Sequence, residues 1–238
     1  MTDVVHLWTY LASSPLFGLT ATVTTYVLAH ALHERLGRAP WSNPVMLSVI
    51  VLGSVLLATG TPYPVYFAGA QFVHVLLGPA VVALGWPLWQ RRAELRRRAL
   101  PLAVGALVGG GVASGVAVGA GWALGLPTPI LLSLAPKSVT APVAVGIAER
   151  LAGVPALAAA FTLLTGVVGA SSAKYLLDAM GVRDWAVRGF ALGTASHGIG
   201  AARALSVHPE AGAYAAVGLG LQVLFASFLI PLVAALFR

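Results

Sequence analysis

Residues 133–142 read SLAPKSVTAP. A lysine stands here between two prolines, in the middle of a long apolar stretch. Each proline lacks an N–H donor and resists a continuous helix, so the pattern predicts a segment over Ile130–Leu151 that is broken at this decapeptide. Backbone released by such a break is tolerated inside a bilayer only where protein or a watery cavity satisfies it. Lys137 falls near the middle of the segment, and burying its ammonium there costs about 2.5–3.5 kcal/mol. A fresh helix beginning near Thr140–Pro142 would aim its N–H groups and its positive end at the same space. The ammonium, the hydroxyls of Ser138 and Thr140, and that helix start together favour a small bound anion. Against this stands the plainer alternative of a lysine in an aqueous loop that snorkels to water.

The rest of the chain says what surrounds this decapeptide. Of 238 residues, 58% are hydrophobic and only 9% charged, where soluble domains carry about 25% charged residues; mean hydropathy is +0.89. Apolar stretches near 20 residues recur from end to end, the signature of membrane-spanning helices. The expected fold is an all-α integral membrane protein with about seven or eight transmembrane segments. Two or more of these are expected to be broken or re-entrant. Asp3 precedes the first apolar run and no Lys or Arg does, which is unlike a cleavable signal. Cysteine is absent, which removes disulfides and thiolate sites. The net charge of +7 is concentrated in loops, above all in RRAELRRR (91–98) and at Arg35 and Arg38. Cytoplasmic loops have this composition, and no soluble basic domain exists to host nucleic acid.

The spans expected from this pattern are about His6–His30, Pro44–Thr59, Pro64–Trp89 (interrupted at 76–82), Leu100–Leu126, Ile130–Leu151, Pro155–Met180, Trp185–Ser206 and Ala213–Phe237. With both basic loops in the cytoplasm, two spans lie between them and the N-terminus is outside. No linker is long enough to divide two domains, so residues 1–238 read as one polytopic membrane domain. LGPAVVAL (77–84) and TAPVAVGI (140–147) resemble each other. Duplication, often inverted, with a broken helix in each half points to a transporter's central site, and repeat halves would run about 1–98 and 99–238. In the glycine-rich fourth span, Gly105, Gly109, Gly110, Gly111, Gly115 and Gly119 are expected to allow close helix approach.

A second polar cluster lies in RGFALGTASHGIGAARA (188–204). On an unbroken helix Arg188 and Arg203 would stand over about 20 Å apart and could not serve one small ligand. Gly193, Gly198 and Gly200 allow a break or re-entrant turn, with Thr194 or Ser196 capping a new helix. His197 would then reach the Lys137 site and titrate near neutral pH. The simpler alternative makes the arginines interfacial anchors and His197 a hydrogen-bonded packing residue. Thr165, Gly166, Gly169, Ser171 and Ser172 form a third, weaker group, explained equally by helix packing or pore lining. Catalytic readings fail. GTASHG is not a nucleophile elbow and has no carboxylate to orient His197; HALHE (30–34) lacks zinc-site order; no phosphate loop is present. Asp178, Asp184 and Glu210 fall at span ends, where solvation is expected. Neither enzyme activity nor a cofactor or metal is expected.

At these residues the chain resembles the LrgB/CidB family. The resemblance is carried by APKSVTAPVAVGIAERLAGVPALAAAFTLLTGVVGA (135–170) and RGFALGTASHGIGAARAL (188–205), and further by SPLFGLTATVTTYVLAHAL (14–32), NPVMLSV (43–49) and YPVYFAGAQFVHVLLGPAVVALGWPLWQ (63–90). It covers nearly the whole chain in order. Bacterial members of that family are described as antiholin-like regulators of murein hydrolase activity, working beside a small membrane partner of the LrgA/CidA type. A plant relative is the plastidic glycolate/glycerate transporter. The resemblance implies a bacterial cytoplasmic membrane protein that carries a small monocarboxylate, with antiholin-like regulation as the alternative and a homo-oligomer admitted. Its signature falls on Lys137, Ser138, Thr140, Pro142, Gly166, Gly169, Gly193, Thr194, Ser196, His197, Gly198, Gly200 and Arg203, with Thr165 beside it. Ala141 and Ala202 stand where the family often has threonine, which leaves substrate choice open.

Overall fold

The computed structural model describes residues 15–76, 79, 82–83, 85–90 and 92–236. All regular structure among them is helical. The chain forms two compact units, Met1–Ala83 and Leu84–Arg238.

In the first unit, α1 (Pro15–Arg35), α2 (Pro44–Thr59) and α3 (Tyr63–Val75) follow one another. α1 continues five residues past the expected span end at His30. Asn43 starts α2 as the sequence dictates: its side chain accepts hydrogen bonds from the N–H groups of Val45 and Met46, and Pro44 occupies the first turn, where its missing donor costs nothing. α1 packs on α3 through Gly18, whose Cα lies against the backbone of Tyr66 and Ala70. Thr22 and the Tyr66 hydroxyl are hydrogen-bonded at 2.7 Å beside it. The resemblance between 77–84 and 140–147, and the N-terminal part of the first span, lie outside the described residues.

The second unit contains α4 (Gly85–Gln90), α5 (Arg92–Arg97), α6 (Ala99–Ala123), α7 (Thr128–Leu134), α8 (Ala141–Arg150), α9 (Pro155–Ala179), α10 (Trp185–Val207) and α11 (Pro209–Leu236). Three of these, α6, α9 and α11, are long and apolar enough to cross a membrane; α2 is a shorter apolar helix. At 1.5 Å per residue, the 25-residue α6 and α9 exceed the roughly 30 Å hydrocarbon core. α11 begins four residues before the expected Ala213, because Pro209 suits a first helical turn.

Two segments fold back on themselves. In α10, Ser196 (φ −127°, ψ 17°) and His197 (φ 43°, ψ −137°) are not helical, and the chain reverses there. Leu192 carbonyl oxygen comes within 2.5 Å of where a β-carbon on Gly200 would sit. The rings of Trp185 and His208, one at each end, stack with centroids 4.9 Å apart. A straight helix of that length would hold them about 35 Å apart. The arm before the reversal runs parallel to α11, with Gly189 on Ala211 and Gly193 on Ala215; the arm after it runs antiparallel, with Leu205 on Gly212. Glycine and alanine at these contacts let the backbones approach, as membrane helix interfaces require.

The second such segment is α7–α8. α7 runs back along the last half of α6: Gly121 lies beside Leu126, Leu131 and Leu134, and the Ser114 hydroxyl donates to the Ala135 carbonyl at 2.7 Å. After the reversal at 135–140 the chain returns, so that the Val154 N–H donates to Ser133 Oγ at 2.7 Å. The two folded-back segments enter from opposite ends. α7 leaves from where α6 finishes, whereas the first arm of α10 lies on the first half of α6, with Phe190 on Gly105 and Thr194 on Gly109. Each follows a 25-residue helix closed by a glycine of positive φ, Gly125 at +72° and Gly181 at +71°.

The glycine stripe of α6 needs correcting. Gly105, Gly109 and Gly110 do meet neighbours, but nothing lies within 4 Å of a β-carbon built on Gly111, Gly115 or Gly119. Those three are exposed, and Gly111 and Gly115 border a cavity of this unit.

Candidate functional site

The first reversal is built by its prolines. Pro136 is fully buried, and the N–H groups of Lys137 and Val139 bond back to Leu134 and Pro136 in successive tight turns. Thr140 (φ −63°, ψ 145°) precedes α8, and Pro142 lies in the first turn; the Thr140 hydroxyl makes no capping bond. Lys137 is half-buried and has no ion-pair partner among the described residues. Ser138 is buried beside it, with an Oγ that has no hydrogen-bond partner. Pro142 is exposed, at the outer side of the turn. The start of α8 leaves backbone N–H groups unsatisfied near Lys137 and Ser138. An anion is the partner that such a group of donors favours.

The second reversal is built by packing. His197, a residue with a side chain, takes the positive φ that glycine usually supplies. Its Nε2–H donates to the Thr162 carbonyl at 2.8 Å. Its ring lies over Gly166, where a β-carbon would come within 2.6 Å of Cε1; Ser196 Oγ occupies the matching space over Gly169. Thr162, Gly166 and Gly169 therefore form one face of α9 shaped to receive Ser196 and His197. Of Gly193, Gly198 and Gly200, expected to allow the break, none takes a positive φ, and Gly198 has open space before it. Since Nε2 carries the hydrogen, Nδ1 is the nitrogen that can gain or lose a proton.

The remaining sequence candidates distribute around these two points. Thr194 is buried one turn before the second reversal, between Gly109 of α6 and Gly218 of α11. Thr165 is half-buried on α9, one residue before Gly166. Arg203 is half-buried on the second arm of α10, about 9 Å along the helix from His197. Arg188 stands near the base of the first arm and donates to Asp178 at 2.7 Å, which makes it an anchor to the end of α9. Asp178 is thus paired, with Lys174 as well, and Asp184 caps α10 by accepting from the Val187 N–H.

No hydrogen bond or ion pair among the described residues joins Lys137 to His197. The two reversals meet instead through α11. Val139 of the first belongs to a cluster with Ala144, Ile147, Leu151 and Ala226. Leu192, just before the second, belongs to a cluster with Ala215 and Leu219. Val223 packs against both, so the two segments adjoin neighbouring stretches of that helix. Buried side-chain oxygens without partners occur on these segments and on the helices that hold them: Ser138 Oγ, Thr162 Oγ1, Thr194 Oγ1 and Gln222 Oε1. Buried polar groups are nearly always bonded; such a set points to a site that handles polar matter. A cavity of about 700 Å³ lies in the same unit, lined among others by Gly110, Gly111, Ser114, Gly115, Ala135 and Gln222. Neither Lys137 nor His197 lines it.

Thr162 and Gln222 were not among the sequence candidates. Gln222 had a readable signal, a lone amide in a 28-residue apolar helix, and intramembrane polar groups are functional by default. Thr162 had none, since its carbonyl is what meets His197.

These observations define a helical membrane protein with two opposed folded-back segments, both packed against α11. The LrgB-like family matches residues 22–236, and the chain belongs to that family. It is 34% identical over 219 residues to "Uncharacterized protein YxaC" of Bacillus subtilis (strain 168), covering 91% of this chain and 94% of that one. It is 29% identical over 217 residues to "Holin-like protein CidB" of Staphylococcus epidermidis, with the same coverage, and 28% identical over 216 residues to "Holin-like protein CidB" of Staphylococcus aureus. No solved structure matches the chain.

Proposed function

We propose that this protein is a secondary carrier of small monocarboxylates, of the glycolate, pyruvate, lactate or glycerate kind, in the bacterial cytoplasmic membrane. One observation supports this above the rest. Two segments enter the second unit from opposite ends, with Lys137 at one polar reversal and His197 at the other, and both segments pack against α11. Lys137 pairs the carboxylate. Ser138, Thr140, Thr194 and Ser196 bond its oxygens, Arg203 adds positive charge from below, and His197 exchanges a proton at Nδ1. No covalent chemistry is performed on the substrate.

Arg92, Arg96, Arg97 and Arg98 lie where α6 begins, and Lys174, Arg183 and Arg188 where α9 ends and α10 begins. That end is cytoplasmic by charge. Residues 185–207 then re-enter from the cytoplasm and 128–151 from outside. α6 with 128–151 and α9 with 185–207 form the inverted pair on which alternating access depends, a division within 99–238 rather than the halves 1–98 and 99–238 expected from sequence, in a total of about seven or eight membrane segments. Liposomes holding the purified chain will take up labelled glycolate or pyruvate, and Lys137→Ala will reduce uptake at least tenfold; undiminished flux in that variant would refute the site.

The relatives' names support a second reading better than they support carriage. On this reading the chain is a holin- or antiholin-like regulator of murein hydrolase activity and autolysis, acting beside an LrgA/CidA-type membrane protein. The exposed Gly111, Gly115 and Gly119 of α6, the first two bordering the cavity, give a helix of such a partner room to approach. Lys137→Ala separates the two readings, because a regulator that works by helix packing keeps its effect on autolysis in that variant.

A further inference from the structure

We infer that α4 and α5 form a binding site for the headgroup of an anionic phospholipid in the leaflet where α6 and α11 begin. The inference holds under either functional reading. α5 contains a single acid among its arginines, Glu94, and the fold turns that acid inward. The Tyr214 hydroxyl, 1% exposed, donates to it at 2.6 Å. Arg98 approaches the same carboxylate at 3.6 Å and lies over the Tyr214 ring. With its acid consumed, α5 presents Arg92, Arg96 and Arg97 outward. Arg96 and Arg97 are exposed and have no ion-pair partner among the described residues.

Arg92 is held differently. Its guanidinium lies 4.5 Å from the centre of the Trp89 ring and donates to the Trp89 carbonyl. The rings of Trp86 and Trp89 on α4 are both exposed. Exposed tryptophans settle at the level of lipid headgroups, and α5 leads directly into the spanning α6. Guanidinium pairs at that depth match a phosphodiester in charge and geometry. A soluble polyanion would gain nothing from the two indoles, which is why a lipid is the occupant that fits. Each basic residue near an anionic surface contributes roughly 1 kcal/mol, about fivefold in affinity.

The test uses the full chain in a neutral detergent, titrated with phosphatidylglycerol or with phosphatidylcholine of the same acyl chains, and read by mass spectrometry of the intact complexes. Phosphatidylglycerol is expected to be retained preferentially, and Arg96→Gln with Arg97→Gln is expected to weaken it roughly thirtyfold while leaving the melting temperature in lipid-free detergent unchanged. Equal retention of the two lipids, or a double variant that binds like the parent, overturns the inference. Displacement of phosphatidylglycerol by millimolar inorganic phosphate also overturns it, since the site would then read a free anion.

Discussion

The two reversals are made by opposite means. At 135–140 the chain turns through its own covalent chemistry: six residues with Pro136 among them, a run of tight backbone bonds, and Pro142 in the helix turn that follows. At 196–197 it turns in two residues, one of them a histidine at φ 43°, held there by the Thr162 carbonyl and by the hollows over Gly166 and Gly169. The left-handed region costs a residue with a β-carbon about 1–2 kcal/mol, so the second turn exists only because its neighbours impose it. The lesson is one of placement. The first reversal carries a flexible cation on a self-supporting loop, and the second fixes an imidazole in one orientation. Strain that packing sustains at one buried ionisable side chain is where a mechanism is expected.

That contrast can be broken or sharpened by substitution. The largest effect is expected at Gly193, where an added methyl meets the backbone of Ala215, which cannot yield. Gly193→Ala should cost at least the upper end of the about 1–3 kcal/mol typical of overpacking, read as a lowered melting temperature in detergent. A value near zero would mean that the second segment is not clamped to α11 as described. His197→Gly relieves about 1–2 kcal/mol of strain but empties the hollow over Gly166 and leaves the Thr162 carbonyl unbonded, so stability should fall, by less than the roughly 3–5 kcal/mol that deleting a large buried ring alone costs. Carboxylate uptake should also fall in proteoliposomes, and a variant as active as the parent would reduce the histidine to a structural part. The smallest effect belongs to the first segment. Gly146 on α8 faces open space, so Gly146→Ala should raise stability by about 0.5–1 kcal/mol; a loss comparable to that at Gly193 would erase the difference between the two segments.

How much of this was legible follows from the same contrast. Pro136 and Pro142 announced the first break, and α8 begins at Ala141 as their spacing required. α2 spans Pro44–Thr59 as the apolar run indicated. The second break could be placed among Gly193, Gly198 and Gly200, but not on His197, because what turns the chain there is a carbonyl and two hollows on α9, 30 residues or so away. The glycine stripe misled for a related reason. Composition marks every glycine of α6 alike, and only the neighbours decide that Gly110 receives the Gln222 amide while Gly115 stays open. The pairing of Lys137 with His197 rests on chemistry alone; what the fold supplies is α11 as a neighbour common to the two segments that carry them.

The stacked rings of Trp185 and His208 carry a consequence for biogenesis. They close the base of a segment whose arms are each only about ten residues long, below the length at which an isolated helix persists in water. Neither arm can cross a bilayer unaided, and one of the surfaces along which both run belongs to α11, which leaves the ribosome after them. Truncation before Pro209 would leave the histidine turn its seat on α9 while removing the helix against which both arms pack.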